Sequence, residues 1–192
     1  MSKRVAFFAL TGLVISGSLL SGPAVAAQPP RENSASWFWT PFGIIYKIHG
    51  KDTVPFAPKY AAGTIVVNTR ERYLYFVIGG GQALRYTIGV GKDGYSWSGT
   101  STVSAKREWP DWSPTPSIKK EHPEVPNHMT GGEANPLGAR ALYLGDTLYR
   151  IHGTNEPWKI GDAVSSGCIR LTNDDIIDLY KRVKIGATVI VK

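Results

Sequence analysis

The sequence predicts a mostly β fold, an antiparallel sheet or sandwich, with one short helix near the C-terminus. Residues 64–90 form β-branched and aromatic runs separated by charged or glycine-rich turns. Hairpins at this spacing favour antiparallel strands over alternating strand–helix units. A helical period of apolar residues follows much later, between residues 172 and 183. The chain is therefore predicted to hold one domain, residues 60–192, behind an N-terminal extension.

The first 26 residues have the pattern of an export signal. Lys3 and Arg4 precede an apolar run at residues 5–20, and Ala24-Val25-Ala26 offers a small-residue cleavage site. Glycine, serine and threonine dilute the run, whereas a retained membrane helix needs about twenty strongly apolar residues. We therefore predict a signal peptide that is removed, and a mature protein in the periplasm or cell envelope.

Residues 27–59 are predicted to be a linker followed by an aromatic arm. Pro29, Pro30 and the polar residues up to Ser36 resemble a linker in composition, but large apolar side chains crowd residues 37–46. Such an arm either packs back on the domain or meets a partner or membrane surface. Packing on the domain is favoured, because an exposed patch of this size is uncommon in monomers.

The charge of the chain is modestly positive. Its formal value falls from +7 to +5 when Lys3 and Arg4 are lost with the signal. This balance suits contact with anionic envelope polymers, or it merely keeps the protein soluble. The basic residues are scattered, so no nucleic-acid partner is predicted. With one cysteine and no His-x-x-x-His pair, no metal or other cofactor is predicted either.

Each element of the domain has its own local signal. Thr172 with Asp175 three residues later fits a helix capping box, and the apolar residues that follow repeat at helical spacing. The predicted strands share β-branched or alternating apolar patterns, and they lie at residues 64–68, 73–78, 83–90, 141–151, 168–171 and 188–191.

A long segment without clear periodicity, residues 91–140, separates the third and fourth predicted strands. It is rich in proline and contains Trp109 and Trp112. Loops of this length in compact domains are usually functional, so the two tryptophans either wall a cleft for an extended peptide or glycan or cover a small core. His122 and His128 also lie here and are interpreted as rim residues.

Cys168 is the main candidate for chemistry. A lone cysteine in an exported protein is a reactive thiol, a dimer bridge or an inert buried residue. Two serines and Gly167 lead into it, which predicts a tight turn whose backbone N–H groups, at Gly167 and Cys168, face the same carbonyl as the sulfur. His152, at the end of a predicted strand, is the candidate general base that converts the thiol to a thiolate.

Two further roles are assigned around this pair. The second imidazole nitrogen of His152 needs an acceptor, for which the carbonyl of Gly153 and the hydroxyl of Thr154 are alternatives. Arg170 is either the partner of a substrate carboxylate or a structural ion-pair former.

The combined motif resembles the L,D-transpeptidase catalytic domain, also called the YkuD domain. The matching residues are His152-Gly153-Thr154-Asn155-x-Pro157, Ile160-Gly161, Ser165-Ser166-Gly167-Cys168-Ile169-Arg170-Leu171, Asn173, Asp175, Ile176, Asn135-Pro136-Leu137-Gly138 and the Trp109-Pro110-x-Trp112 loop. The resemblance implies a β-sandwich with a helix after the cysteine, and a peptidoglycan stem peptide as substrate.

In that reading Cys168 attacks the carbonyl that precedes the terminal D-Ala of a tetrapeptide stem. The resulting thioester passes to the amine of another stem, to an envelope protein amine, or to water. Residues proposed to bind substrate are Arg170, Ser166, Thr154, Asn155, Trp109 and Trp112. Ser166 stands where the family often has histidine, so only its backbone is carried over. The alternatives are an L,D-carboxypeptidase, a non-catalytic wall-binding module and a dimer bridged by Cys168.

Overall fold

The computed structural model describes residues 36–39, 45–48 and 50–192. The predicted signal peptide and the first part of the predicted linker lie outside the described residues. Among the described residues, no helix has both the length and the apolar character needed to cross a bilayer.

Thirteen strands and two helices make up this part of the chain. In order they are β1 (Ser36–Trp39), β2 (Ile45–Ile48), β3 (Asp52–Pro55), β4 (Ile65–Asn68), β5 (Tyr73–Gly79), β6 (Gln82–Thr87), β7 (Val90–Gly91), β8 (Gly99–Glu108), α1 (Pro116–Glu121), β9 (Arg140–Leu144), β10 (Arg150–His152), β11 (Ala163–Ser165), β12 (Ile169–Arg170), α2 (Asn173–Arg182) and β13 (Thr188–Val191). A single 3-10 turn spans Pro157–Lys159. The predicted mostly β fold is confirmed.

Nine of the strands form one mixed sheet, in the order β12-β10-β9-β8-β13-β4-β5-β6-β3. β8 joins two halves of this sheet, one formed by β9, β10 and β12 and the other by β13, β4, β5, β6 and β3. Its first residues, 99–102, pair with β13, and its later residues, 103–108, pair with β9 after a bulge between Val103 and Ala105. A bulge bends the strand that carries it. The two halves thus share one core, in which Ile65 and Tyr86 of one half belong to the same cluster as Leu142 and Ile151 of the other.

Helix α2 packs on this core as its sequence predicts. The Thr172 hydroxyl accepts a hydrogen bond from the Asp175 amide at 3.2 Å and caps the helix. Ile176 and Leu179 are fully buried on the inner face. Because α2 follows β12 after two residues, its first turn lies beside the strand that carries the site.

The predicted arm contributes its last residues to the sheet. β3 pairs with β6 at the sheet edge, and the Phe56 ring stacks on Tyr75 at 4.8 Å. Lys51 forms a 2.5 Å ion pair with Asp178 on α2. Further upstream, β1 and β2 form an antiparallel hairpin. Packing of the aromatic side chains of this hairpin on the domain stays a prediction.

The long segment without clear periodicity, residues 91–140, is more ordered than its sequence suggests. It contains β8, a ten-residue strand between β9 and β13 in the sheet, so the prediction of a loop is wrong there. It also contains α1, a six-residue helix capped by the Thr115 hydroxyl and without a buried side chain. A helix this short and exposed has no apolar period, so the sequence did not reveal it. The buried side chain of Asn135 organises the rest of the segment, since its amide donates to the carbonyls of Pro110, Met129 and Thr130.

Candidate active site

Two short parallel strands assemble the candidate site. β10 and β12 pair with Ile151 opposite Ile169 and His152 opposite Arg170. Side chains two residues apart on a strand share a face. Extended by one residue, this register sets Arg150 opposite Cys168 on the face that carries His152 and Arg170. The four side chains form a square in which Cys168 and His152 occupy one diagonal and the two arginines the other.

His152 is buried and its ring orientation is set by the backbone. Only 3 % of the residue is exposed, and Nδ1 lies 2.6 Å from the carbonyl oxygen of Gly153. A carbonyl can only accept, so Nδ1 carries the hydrogen and Nε2 is left as the acceptor. Of the two acceptors considered from the sequence, the Gly153 carbonyl is the one in contact.

The environment of His152 disfavours the imidazolium ion. Burial, followed by the positive charge of Arg170 and then of Arg150, lowers the pKa of His152 to about 3, although hydrogen bonding to the backbone of Gly153 and Leu137 acts in the opposite direction. The ring is therefore neutral at physiological pH, which is the protonation state of a general base.

The thiol of Cys168 is half-buried, with Sγ 3.8 Å from the carbonyl oxygen of Leu148. Burial raises the pKa of Cys168 above its ordinary value, while Arg150 and Arg170 act to lower it. The resting pair is thus a neutral thiol and a neutral imidazole. The thiolate expected from the pairing of Cys168 with His152 is therefore not the resting form, because burial penalises both charged forms.

Ser165 and Gly167 shape the turn before the cysteine. The Ser165 hydroxyl donates to the Cys168 carbonyl at 2.5 Å and accepts from the Gly167 amide at 3.2 Å. Gly167 has a φ of +102°, and a Cβ there would lie 2.7 Å from a ring carbon of Tyr149. Trp97 stacks on Tyr149 at 4.6 Å and donates to the Gly167 carbonyl at 3.2 Å. The turn is tight, as predicted, but the Gly167 amide already has an acceptor.

Asn173, the first residue of α2, fastens the end of β10. Its Oδ1 accepts from the amides of Ala139 at 2.9 Å and Thr154 at 3.2 Å. A Cβ on Gly138 or Gly153 would lie 2.2 Å or 2.3 Å from the same oxygen. The two glycines therefore let the backbone approach this side chain, which holds Thr154, the second residue after His152, in place.

The square of side chains opens into a cavity of about 640 Å³. Five of the residues proposed from the sequence line it, namely Cys168, His152, Arg170, Ser166 and Trp112. Its far wall comes from α1 and from Lys92 and Tyr95. The volume and the mixture of aromatic and charged groups suit a peptide-sized ligand.

Three of the proposed substrate-binding residues lie outside the lining of this cavity. Thr154 is buried, and its hydroxyl accepts from the Glu156 amide at 3.0 Å. The Asn155 side chain donates to the Ala134 carbonyl at 2.9 Å. Trp109 is 42 % exposed with a φ of +42°, at the corner where β8 ends. These three residues therefore lie at turns or at the end of a strand, and not in the lining of the cavity.

The predicted rim histidines differ in position. His122 lines the cavity and contacts Glu124 at 3.2 Å, whereas His128 lies 3.4 Å from the Ser113 hydroxyl and borders a second, smaller cavity. Within residues 50–192 the structure shows no cluster of three or more histidine, cysteine or carboxylate side chains arranged to hold a metal ion.

Three residues that were not predicted from the sequence also line the cavity, namely Arg150, Lys92 and Glu121. Arg150 had a usable signal, because it lies two residues before His152 on a predicted strand and so shares its face. Lys92 and Glu121 had none, since they come from distant segments that meet only in the fold.

Comparison with known proteins identifies the domain. The family model for the L,D-transpeptidase catalytic domain, YkuD, matches residues 62–191. The chain belongs to the L,D-transpeptidase family. The resemblance drawn from the cysteine motif is therefore confirmed.

Relatives and solved structures agree with this assignment. The probable L,D-transpeptidase ErfK/SrfK of Escherichia coli is 40 % identical over 134 residues, which are 65 % of this chain and 42 % of that protein. The chain thus spans about two fifths of the length of this curated relative. The structure of L,D-transpeptidase 3 from Mycobacterium tuberculosis matches with a TM-score of 0.53 at 18 % identity, over 68 % of this chain and 61 % of that one, which shows the shared fold.

A third match carries a different name. The structure of a probable carnitine operon oxidoreductase from Brucella melitensis is 46 % identical, with a TM-score of 0.50, and covers 74 % of this chain and 93 % of that one. That name describes that protein alone. The family model and the curated relatives agree on the L,D-transpeptidase family for this chain.

Proposed function

We propose that the protein is an exported peptidoglycan L,D-transpeptidase with Cys168 as nucleophile and His152 as general base. The observation that carries the proposal is the register of β10 and β12, which brings both side chains to one face at the floor of one cavity. Membership of the family supports the reaction class. The donor is a tetrapeptide stem, and the bond broken precedes its terminal D-Ala.

Acylation begins from the neutral pair. As the Cys168 sulfur attacks the carbonyl carbon, Nε2 of His152 takes the thiol proton, so no free thiolate has to accumulate. The Gly153 carbonyl holds Nδ1 and thereby aims Nε2. When the tetrahedral intermediate collapses, the C–N bond breaks and Nε2 returns the proton to the amine of the leaving D-Ala. A thioester remains on Cys168.

The oxyanion of this intermediate requires N–H donors from the cysteine turn. Since the Gly167 amide donates to the Ser165 hydroxyl, we assign the donor to the Cys168 amide, with Gly167 supplying the shape of the turn. Ser165 supports this geometry, because its hydroxyl bonds to the Gly167 amide and to the Cys168 carbonyl.

The second step consumes the thioester. An amine attacks the thioester carbonyl, His152 takes its proton, and the sulfur leaves and is reprotonated. With the amine of a second stem the product is a 3→3 cross-link, and with an envelope protein amine it is wall attachment. We propose the periplasm or cell envelope as the location, on the basis of the N-terminal signal pattern.

The proposal is tested by incubating the mature protein with a disaccharide-tetrapeptide, with and without an amine acceptor, and analysing products and intact protein by mass spectrometry. Loss of D-Ala together with a dimeric muropeptide supports transpeptidation. D-Ala loss that yields only tripeptide would indicate an L,D-carboxypeptidase instead.

Cys168→Ala is the control, and it should form neither thioester nor product. Turnover retained in that variant would refute Cys168 as the nucleophile. A carbapenem should add its mass to the wild-type protein and not to the variant, which provides an independent titration of the thiol. If the wild-type protein forms neither product nor adduct, a wall-binding module becomes the better explanation.

A further inference from the structure

The charges that line the cavity do not balance. Apart from the histidines, its lining contains four cationic side chains, Lys92, Lys159, Arg150 and Arg170, and two carboxylates, Glu121 and Glu156. Two positive charges are therefore in excess. A cavity with this excess favours an anionic ligand.

Three of the four cations already have a carboxylate partner. Lys92 lies 2.7 Å from Glu121, Lys159 lies 2.6 Å from Glu156, and Arg170 lies 3.6 Å from Glu156. Arg150 alone among them forms no ion pair with a described residue. Its side chain hydrogen-bonds to Cys168, and its Nε, like that of Arg170, is buried without a hydrogen-bond partner among the described residues. Its guanidinium carbon lies 5.2 Å from the centre of the Tyr143 ring, which supports the side chain on one side. Arg150 is therefore the cation of the cavity lining that has no carboxylate partner among the described residues.

The position of Arg150 restricts what it can bind. It stands opposite Cys168 in the extended register of β10 and β12, on the face that carries the sulfur. An anion bound there lies within a few bonds of any carbonyl that Cys168 attacks. In a C-terminal residue, the carboxylate carbon is three bonds from the carbon of the preceding carbonyl, roughly 3–4 Å away.

We propose that Arg150 binds the α-carboxylate of the terminal residue that the reaction releases, and so makes a free C-terminal carboxylate a requirement for the donor peptide. The inference rests on the proposed function, and it concerns how the donor is selected at the same site. A guanidinium suits this task because its planar donors match a carboxylate in two parallel hydrogen bonds.

The subsite explains why the bond before the last residue is chosen. When the peptide is one residue longer, or ends in an amide, a neutral group occupies the place of the carboxylate. Arg150 then has no anion to bind, and its charge stays without a carboxylate partner. Arg170, which the sequence analysis suggested for a substrate carboxylate, shares the Glu156 charge and is less available.

The experiment compares two donors, a tetrapeptide stem with a free C-terminal carboxylate and the same stem ending in D-alaninamide. Release of D-Ala or D-alaninamide is followed by chromatography, and kcat/KM is determined for each donor. The wild-type protein should prefer the free acid by about tenfold or more, since hydrogen bonds to charged groups are of that strength. The preference should lie mainly in KM.

The variants are Arg150→Gln, Arg150→Lys and the matched control Lys159→Gln, which also removes one positive charge from the cavity. In Arg150→Gln the ratio of the two kcat/KM values should fall close to one, with most of the loss on the free acid. Arg150→Lys should keep part of the preference for the free acid, because the lysine retains the positive charge. Lys159→Gln should keep the wild-type ratio. Alkylation of Cys168 by iodoacetamide checks that each variant has an intact, accessible thiol.

Several results would overturn the inference. If wild type releases D-Ala and D-alaninamide equally well, the carboxylate subsite is refuted while the proposed function stands. If Arg150→Gln leaves the ratio of the two kcat/KM values unchanged, whether or not both values fall, Arg150 does not bind the carboxylate. An equal fall for both donors would assign Arg150 to the electrostatics of the thiol instead. If Arg150→Gln does not fold, an unchanged ratio in Arg150→Lys together with a lowered ratio in Lys159→Gln refutes it. If wild type acts on neither donor, the proposed function itself fails.

Discussion

The two walls of the cavity are built by different physical means. The wall of His152 and Cys168 rests on paired strands and on part-buried contacts, such as that of Asn173 with the amides of two buried residues. The opposite wall, α1, has no buried side chain, and Glu121 joins it to Lys92 and Tyr95 through exposed polar contacts. Exposed ion pairs contribute little to stability, whereas buried hydrogen bonds are costly to lose. The first wall is therefore rigid, and the second can move at little cost.

The histidines provide the sharpest test of this contrast, because one lines each wall. His152→Ala should lower the rate of Cys168 acylation by roughly 10²- to 10⁴-fold, since it removes the general base. His122→Ala, on the exposed wall, should change the rate by far less. Acylation by a carbapenem, followed by intact-mass spectrometry over time, gives both rates. If the two variants lose acylation rate to a similar extent, His152 is not the single general base of the site.

The asparagines extend the comparison to stability. Asn173→Ala leaves the amides of Ala139 and Thr154 without their acceptor in a buried site, so we expect a loss of about 1–3 kcal/mol in the free energy of unfolding. Acylation should fall as well, because the end of β10 is no longer held. Asn155→Ala is the matched control, since its side-chain amide makes one exposed hydrogen bond. Urea unfolding monitored by fluorescence measures both, and equal stabilities would contradict the role of Asn173.

The pH profile tests the buried state of His152 directly. The base works only when neutral, and a pKa of about 3 keeps it neutral at every pH well above that value. The acylation rate should therefore not fall from His152 protonation between pH 7 and pH 5. A histidine with an ordinary pKa of roughly 6.5 would lose about thirtyfold at pH 5. Carbapenem acylation rates across this range decide the matter, and an inflection near pH 6.5 would place the ring in a more solvated setting.

The smallest effect is expected on the exposed wall. Glu121→Gln removes the charge that faces Lys92, and we expect no measurable change in Tm because both groups are exposed. Native-state hydrogen exchange should nevertheless show that amides of α1 exchange much faster than those of β10, in the wild-type protein and more so in the variant. Slow exchange in α1 would show that this wall is held more firmly than its contacts suggest.

Local signals allowed much of the site to be predicted. The turn around Gly167 and the capping box of Thr172 follow from residues within a few positions of each other, and Cys168 and His152 are each singled out by their immediate neighbours. Arg150 could have been added from strand alternation alone. Trp109, Thr154 and Asn155 were predicted to bind substrate, but they lie outside the lining of the cavity.

The sequence by itself determined the β-rich character of the domain, the family and the candidate nucleophile, because periodicity, capping and a tight turn act over a few residues. Only the tertiary structure decided that β13 lies between β8 and β4, and that β10 pairs in parallel with β12. These pairings join residues far apart in the chain, and no short-range preference specifies them. The same holds for the neutral state of the thiol and imidazole, since burial and the field of two arginines exist only in the folded protein.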